Sequence, residues 1–134
     1  MEYSSDDVDI VARTAWGEAR GEGIIGMLAV IWVIYNRTQR AQWPDLPAAV
    51  ARQDRQFSVW NQGNPNRIDI EHVSRNDVLY DAALGMAKAV FEGLAGEDPT
   101  GDADHYFATY IDMPWWAEDM TRTAEIGKHS FFRS

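Results

Sequence analysis

Glu18 and Glu22 stand where an apolar helix face would otherwise continue. Val8, Val11 and Ala15 recur at spacings of three and four, and the same rhythm lands next on Glu18 and then on Glu22. A carboxylate carried toward a core loses hydration, and its pKa rises toward the range in which it donates a proton at neutral pH. That is the chemistry of a general acid acting on a leaving oxygen, as glycoside cleavage requires. The competing reading is a helix that frays at Gly21 and Gly23 with both acids in water, since glutamates are rarely buried. The string Trp16-Gly17-Glu18-Ala19-Arg20-Gly21-Glu22-Gly23 weighs against it. Three glycines, an arginine and a tryptophan crowd the two acids, and glycine suits a cleft floor where a ligand or another backbone must come close.

Sixteen residues are aromatic, six of them tryptophan, more than a small core requires. Trp16, Trp43, Trp60, Trp115 and Trp116 fall at element ends or in loops, where their faces suit stacking on the apolar faces of sugar rings. Capping the core is the simpler role for at least half of them. His105 beside Tyr106, and His129 further on, read in isolation as structural histidines. The spacing of these histidines and any carboxylate matches no ligand motif, so no metal is assigned. With no cysteine and no G-x-S-x-G elbow, a nucleophilic triad would rest on isolated serines. A phosphate-binding glycine loop is absent as well, and no cofactor is expected.

The elements that must position these groups are mainly helical. The 134 residues suit one compact domain spanning 1–134. A formal net charge of −9 argues against nucleic-acid and membrane-surface partners. The longest apolar run, from Ile24 to Tyr35, falls short of the roughly 20 residues needed to span a bilayer. The acidic segment from Met1 to Asp7 lacks the blocks of a signal peptide, so cytoplasmic accumulation of a monomer is expected if this is the native start.

Ser4 or Ser5 is predicted to cap a first helix ending near Arg20, with the two acids at its C-terminal end. A second helix, about Ile24 to Thr38, is apolar all round and is expected to be the buried central element. Asn36 and Arg37 read as ordinary helix-end residues. Pro47 to Gln53 is predicted as a short helix, Gln56 to Asn61 as a short extended segment, and Gln62 to Arg67 as a surface loop. A capping box at Ser74 to Asp77 precedes a third long helix, Asn76 to Leu94, and a turn-rich aromatic segment follows with few or no strands.

Five blocks in order resemble one family: Ala12 through Gly23; Gly26-Met27-Leu28-Ala29-Val30 through Asn36-Arg37; Gln56-Phe57-Ser58-Val59-Trp60; Asp98-Pro99-Thr100-Gly101 with His105-Tyr106; and Ile126 through Arg133. Together they are similar to the SleB-like cell wall hydrolases of spore-cortex-lytic enzymes and phage lysins. The sequence departs from that pattern at Asp102 and Lys128, where glycine is usual. The resemblance implies a lysozyme-like or lytic-transglycosylase-like fold. It also implies cleavage of peptidoglycan glycan strands between N-acetylmuramic acid and N-acetylglucosamine, and in spore-lytic members a 1,6-anhydro product.

Between the two acids, the resemblance puts the catalytic acid at Glu18. A hydrolytic route would need a second carboxylate, for which Glu22, Asp102 and Asp104 are candidates. Gln56, Ser58, Trp60, His105 and Tyr106 are assigned by motif position to glycan binding, with His105 or Tyr106 as hydrogen-bond partners of Glu18. Trp60 and Tyr106 are expected in the cleft and Trp32 in the core. A phage-endolysin setting, with lysis after another agent opens the membrane, fits the short chain. A silent glycan-binding module and a helical adaptor remain the rival classes.

Overall fold

The computed structural model describes residues 3–53 and 56–134. Helix α1 spans Ser5–Ala19 and opens on a reciprocal cap: the Ser4 hydroxyl accepts from the Asp7 N–H at 3.2 Å while Asp7 accepts from the Ser4 N–H at 2.9 Å. The other Asp7 oxygen accepts from Ala48 N–H at 3.0 Å, which ties α3 (Pro47–Ala51) to the start of α1. Val8, Val11, Ala12, Ala15 and Ala19 are buried, so the 3-4 rhythm is the core face.

A 3₁₀ turn at Arg20–Glu22 leads into α2, Gly23–Thr38. Two faces of α2 are covered by different partners. Met27, Val30, Ile31 and Ile34 join the helical core shared with α1 and α5 (Val78–Phe91), whereas Ala29 and Val33 pack with Ala103 and Phe131 beneath a small sheet. Ile24 and Ile25 in the first turn are 52% and 56% exposed, so the helix is not buried all round.

The sheet has three antiparallel strands, β1 His105–Ala108, β2 Thr121–Ile126 and β3 His129–Arg133, in the order β1-β3-β2. His105 pairs with Phe132 and Tyr106 with Phe131, and this register sets which β1 side chains face the helices.

Other boundaries differ from expectation for local reasons. Gln56 to Asn61 does alternate, with Phe57 and Val59 buried, but its backbone turns through a 3₁₀ segment at Ser58–Trp60. Helix α4, Arg67–His72, stands where a loop was expected to give out, held to the core by Ile70 alone among its residues. Asp77, accepting from Tyr80 N–H at 3.0 Å, caps α5 in place of Ser74.

Gly17 makes the crossing of these pieces over α1 feasible. A β-carbon there would lie 2.7 Å from Ile70 Cγ2 and 3.0 Å from Val59 Cγ1. The glycine therefore admits α4 and the Ser58 turn against the helix face beside Glu18, rather than a ligand. Gly17→Ala is expected to destabilise the fold by about 1–3 kcal/mol through overpacking, although alanine is the better helix former. A thermal melt at or above the wild-type value would refute that role.

Candidate active site

Glu18 sits in the last turn of α1, half-buried against the Ser58 turn. Burial pushes its carboxyl from an ordinary 4.5 up to about 7, and the Ser58 backbone N–H, which hydrogen-bonds the carboxylate, opposes part of that rise. At neutral pH such a group is divided between acid and base forms.

A cleft of about 410 Å³ is lined by Arg37, Gln56, His105, Tyr106 and Trp116. Glu18 communicates with this space through Tyr106. Burial holds the Tyr106 phenol well above its usual range, and the nearby charges of Glu18 and Glu22 add to the shift against Arg37. The phenol thus stays neutral within electrostatic reach of the carboxyl, while the His105 Nδ1 is engaged with Asp104 Oδ1 at 2.9 Å rather than with Glu18. The His105 ring lies between Trp43 and Trp116, with centroids 5.5 and 5.1 Å away, and Trp116 also meets Phe107 and Phe132 edge-on. This aromatic wall suits a sugar face, with Gln56 and Arg37 as the polar counterpart.

The end of α2 builds the cleft's floor. Asn36 Nδ2 donates to Asp98 Oδ2 at 2.8 Å and to the Ala103 carbonyl at 2.9 Å, fixing the loop that leads into β1 at His105. Arg37, buried between Trp43 and Phe57, donates through Nε to the Asp104 carbonyl at 2.7 Å and through Nη1 to Gln56 Oε1 at 3.2 Å. Desolvation lowers its pKa to about 10 against the pull of Tyr106 and Asp104, which leaves it charged at neutral pH. Neither residue is an ordinary helix end. Asp102, at φ 71°, holds the left-handed backbone for which glycine is usual there, and its carboxylate pairs with Arg40 at 2.9 Å.

The other candidate carboxylates are engaged. Asp104 is fully buried; burial raises its pKa, but hydrogen bonds from His105 and Ser134 and the charge of Arg40 outweigh that and hold it at about 2. Glu22 reaches across to the β2–β3 turn, where its Oε1 accepts from Lys128 N–H at 2.7 Å and its Oε2 lies 2.6 Å from His129 Nδ1. A β-carbon on Gly127 would meet Glu22 Oε1 at 2.6 Å, so glycine there lets the carboxylate reach the turn. His129 in turn stands edge-on to Tyr106, 5.2 Å between centroids. Glu22 is therefore a strut that sets His129 and Tyr106.

Of the residues assigned from the sequence, the structure brings Glu18, Gln56, Ser58, His105 and Tyr106 together. Trp60 goes elsewhere: its indole N–H donates to Thr14 Oγ1 at 2.8 Å, it packs on the helical core, and it borders a separate concavity. Trp32 packs on the core but is only half-buried. Arg37, Trp43 and Trp116 were not among the assigned residues. Arg37 had a signal in the Asn36-Arg37 block, and both tryptophans in their placement outside helices.

The family model for cell wall hydrolases matches residues 21–132. The chain belongs to the cell wall hydrolase family. That match begins just past Glu18, but longer similarities include it. A spore cortex-lytic enzyme of Bacillus cereus is 31% identical over 129 residues, 96% of this chain and 45% of that protein. The spore cortex-lytic enzyme of Bacillus subtilis is 27% identical over 96% of this chain and 38% of its own length. The chain thus spans less than half of each. Among solved structures, the catalytic domain of the Bacillus cereus SleB protein superposes with a TM-score of 0.74 at 29% identity, covering 98% of this chain and 93% of that one. The catalytic domain of the germination-specific lytic transglycosylase SleB from Bacillus anthracis gives 0.73 at 29%, covering 98% and 97%. The cell wall hydrolase fold is thus the helical core and three-stranded sheet described above.

Proposed function

We propose that this cell wall hydrolase cleaves the glycan strand of peptidoglycan between N-acetylmuramic acid and N-acetylglucosamine as a lytic transglycosylase, with Glu18 as both acid and base. The observation that carries this reading is the Glu18 carboxyl, raised to about 7 by burial and within electrostatic reach of Tyr106, which lines an aromatic cleft. Protonated Glu18 gives its proton to the glycosidic oxygen as the C1–O bond breaks through an oxocarbenium-like transition state. The ionised carboxylate then takes the proton of the muramic C6 hydroxyl as that oxygen bonds to C1. The 1,6-anhydro ring closes without water being consumed.

The Ser58 N–H steadies the ionised form, and His105, Tyr106, Trp116 and Gln56 orient the strand. The engagement of Glu22 by Lys128 and His129, and of Asp104 by Ser134 and Arg40, supports a single-carboxylate route over a two-carboxylate muramidase. The names of the relatives favour a wall- or cortex-remodelling setting over phage lysis.

Clearing of a suspension of purified peptidoglycan tests the class. An enzyme clears it, a silent binding module sediments with it unchanged, and an adaptor does neither. Glu22→Gln is expected to retain the fold and lose less than about tenfold in kcat, well short of the loss for a general acid. A loss equal to that of Glu18→Gln would reinstate a two-carboxylate mechanism.

A further inference from the structure

A second concavity, about 710 Å³, is lined by Asp9, Ile10 and Arg13 of α1, by Arg52 and Trp60, and by Arg67 and Glu71 of α4. Two of its three guanidiniums are structural. Arg13 pairs with Asp9 at 3.0 Å and donates to the carbonyls of Ile70 and Val73, and Arg67 pairs with Glu71 at 3.1 Å and donates to the Trp60 carbonyl. Arg52 is different. Among the described residues it meets no carboxylate, and its guanidinium lies over the Trp60 ring, 5.0 Å from the centroid. An arginine stacked in this way keeps its N–H edge free for a planar anion. Trp60 is itself immobilised by the fully buried Thr14, so the platform is built in advance of any ligand. Among the described residues, the concavity therefore presents one cation without a carboxylate partner, on a chain whose net charge is −9.

Its position links it to the acid. Ile10, Thr14 and Glu18 form an i, i+4, i+8 row on α1, with Ile10 in the concavity, Thr14 holding Trp60, and Glu18 roughly 12 Å along the axis from Ile10. The Ser58 turn makes the same connection, with its first residue on Glu18 and its last, Trp60, in the concavity. A sugar ring would need the open face of Trp60, which Arg52 covers; a carboxylate needs what Arg52 offers.

We propose that this concavity is a subsite for a carboxylate of the peptide stem that hangs from the glycan strand held at Glu18. The subsite rests on the peptidoglycan reading above. It is tested with soluble glycan strands carrying their stems and with the same strands stripped of stems by an amidase, comparing kcat/KM on the two. For Arg52→Glu the ratio of stem-bearing to stripped kcat/KM is expected to fall about fivefold, through KM, as loss of a partly exposed arginine–carboxylate contact allows. Arg52→Lys is expected to fall between the two proteins, because it keeps the charge without the fork. The neutral Arg52→Gln gives the same readout if charge reversal impairs folding. An unchanged ratio, or equal losses on both substrates, overturns the subsite alone. Failure of the wild-type chain to cleave either substrate overturns the glycosidase reading and the subsite with it.

Discussion

Glu18→Gln is expected to lower kcat on peptidoglycan by about 10²-fold or more while making the folded protein more stable above pH 7. The amide has nearly the same shape and still accepts the Ser58 N–H, but it cannot give up a proton. The stability gain follows from linkage. The Glu18 carboxyl binds its proton more tightly in the folded chain, at about 7, than at its ordinary 4.5. Wild-type stability is therefore highest, as far as this group matters, below 4.5, and declines as pH rises toward and through 7. The full difference is about 3 kcal/mol. Glutamine carries no charge to desolvate, so the variant escapes that decline, and its Tm should exceed that of the wild type above pH 7 and match it at low pH. Wild-type activity should fall over the same upper range as the acid form is lost. A folded variant with near-normal turnover sinks the assignment of the acid. A variant with no gain in Tm at high pH contradicts the burial that makes it one.

Arg37→Ala is expected to lose about 3 kcal/mol of stability, which for a chain of this size is roughly a 10 °C drop in Tm. The change leaves the buried Asp104 carbonyl and Gln56 Oε1 without their donor and opens a gap between Trp43 and Phe57. It also frees the loop that leads into β1 and its His105 and Tyr106, so kcat/KM should fall beyond the loss of folded protein. Arg37→Lys should recover little, since one ammonium cannot meet both acceptors in the geometry of the guanidinium fork. Calorimetry showing a Tm within a degree or two of wild type would contradict the role given to Arg37.

The acid and its helix were legible because both depend on local pattern. The 3-4 rhythm from Val8 to Ala15 is a property of α1 alone, and it carries Glu18 inward wherever the rest of the chain goes. Arg37 was not legible in this way. Its burial depends on the Asp104 carbonyl, 67 residues downstream, and apart from the resemblance carried by the Asn36-Arg37 block, nothing in the α2 pattern distinguishes it from a solvated helix end. The strands were faint for a similar reason. All four residues of β1 are half-buried, so no two-residue alternation exists to be read, and the β2 register is interrupted between Arg122 and Ala124. Helix α4 has one buried anchor, Ile70, and its other isoleucine, Ile68, is 70% exposed two residues earlier, a spacing that makes no helical period. Trp60 shows the converse error. Its place beyond a helix end suggested the cleft, whereas a hydrogen bond to Thr14, 46 residues earlier, draws it to another face of α1.

The distinction between the single-carboxylate route and hydrolysis lies in the product. The most direct test is mass spectrometry of the sugars released when the wild-type protein digests purified peptidoglycan in water enriched in heavy oxygen. The Glu18 mechanism predicts muramic ends lighter than the reducing sugar by one water, with no heavy oxygen incorporated. Reducing ends carrying the heavy label would contradict it and require a second group that activates water.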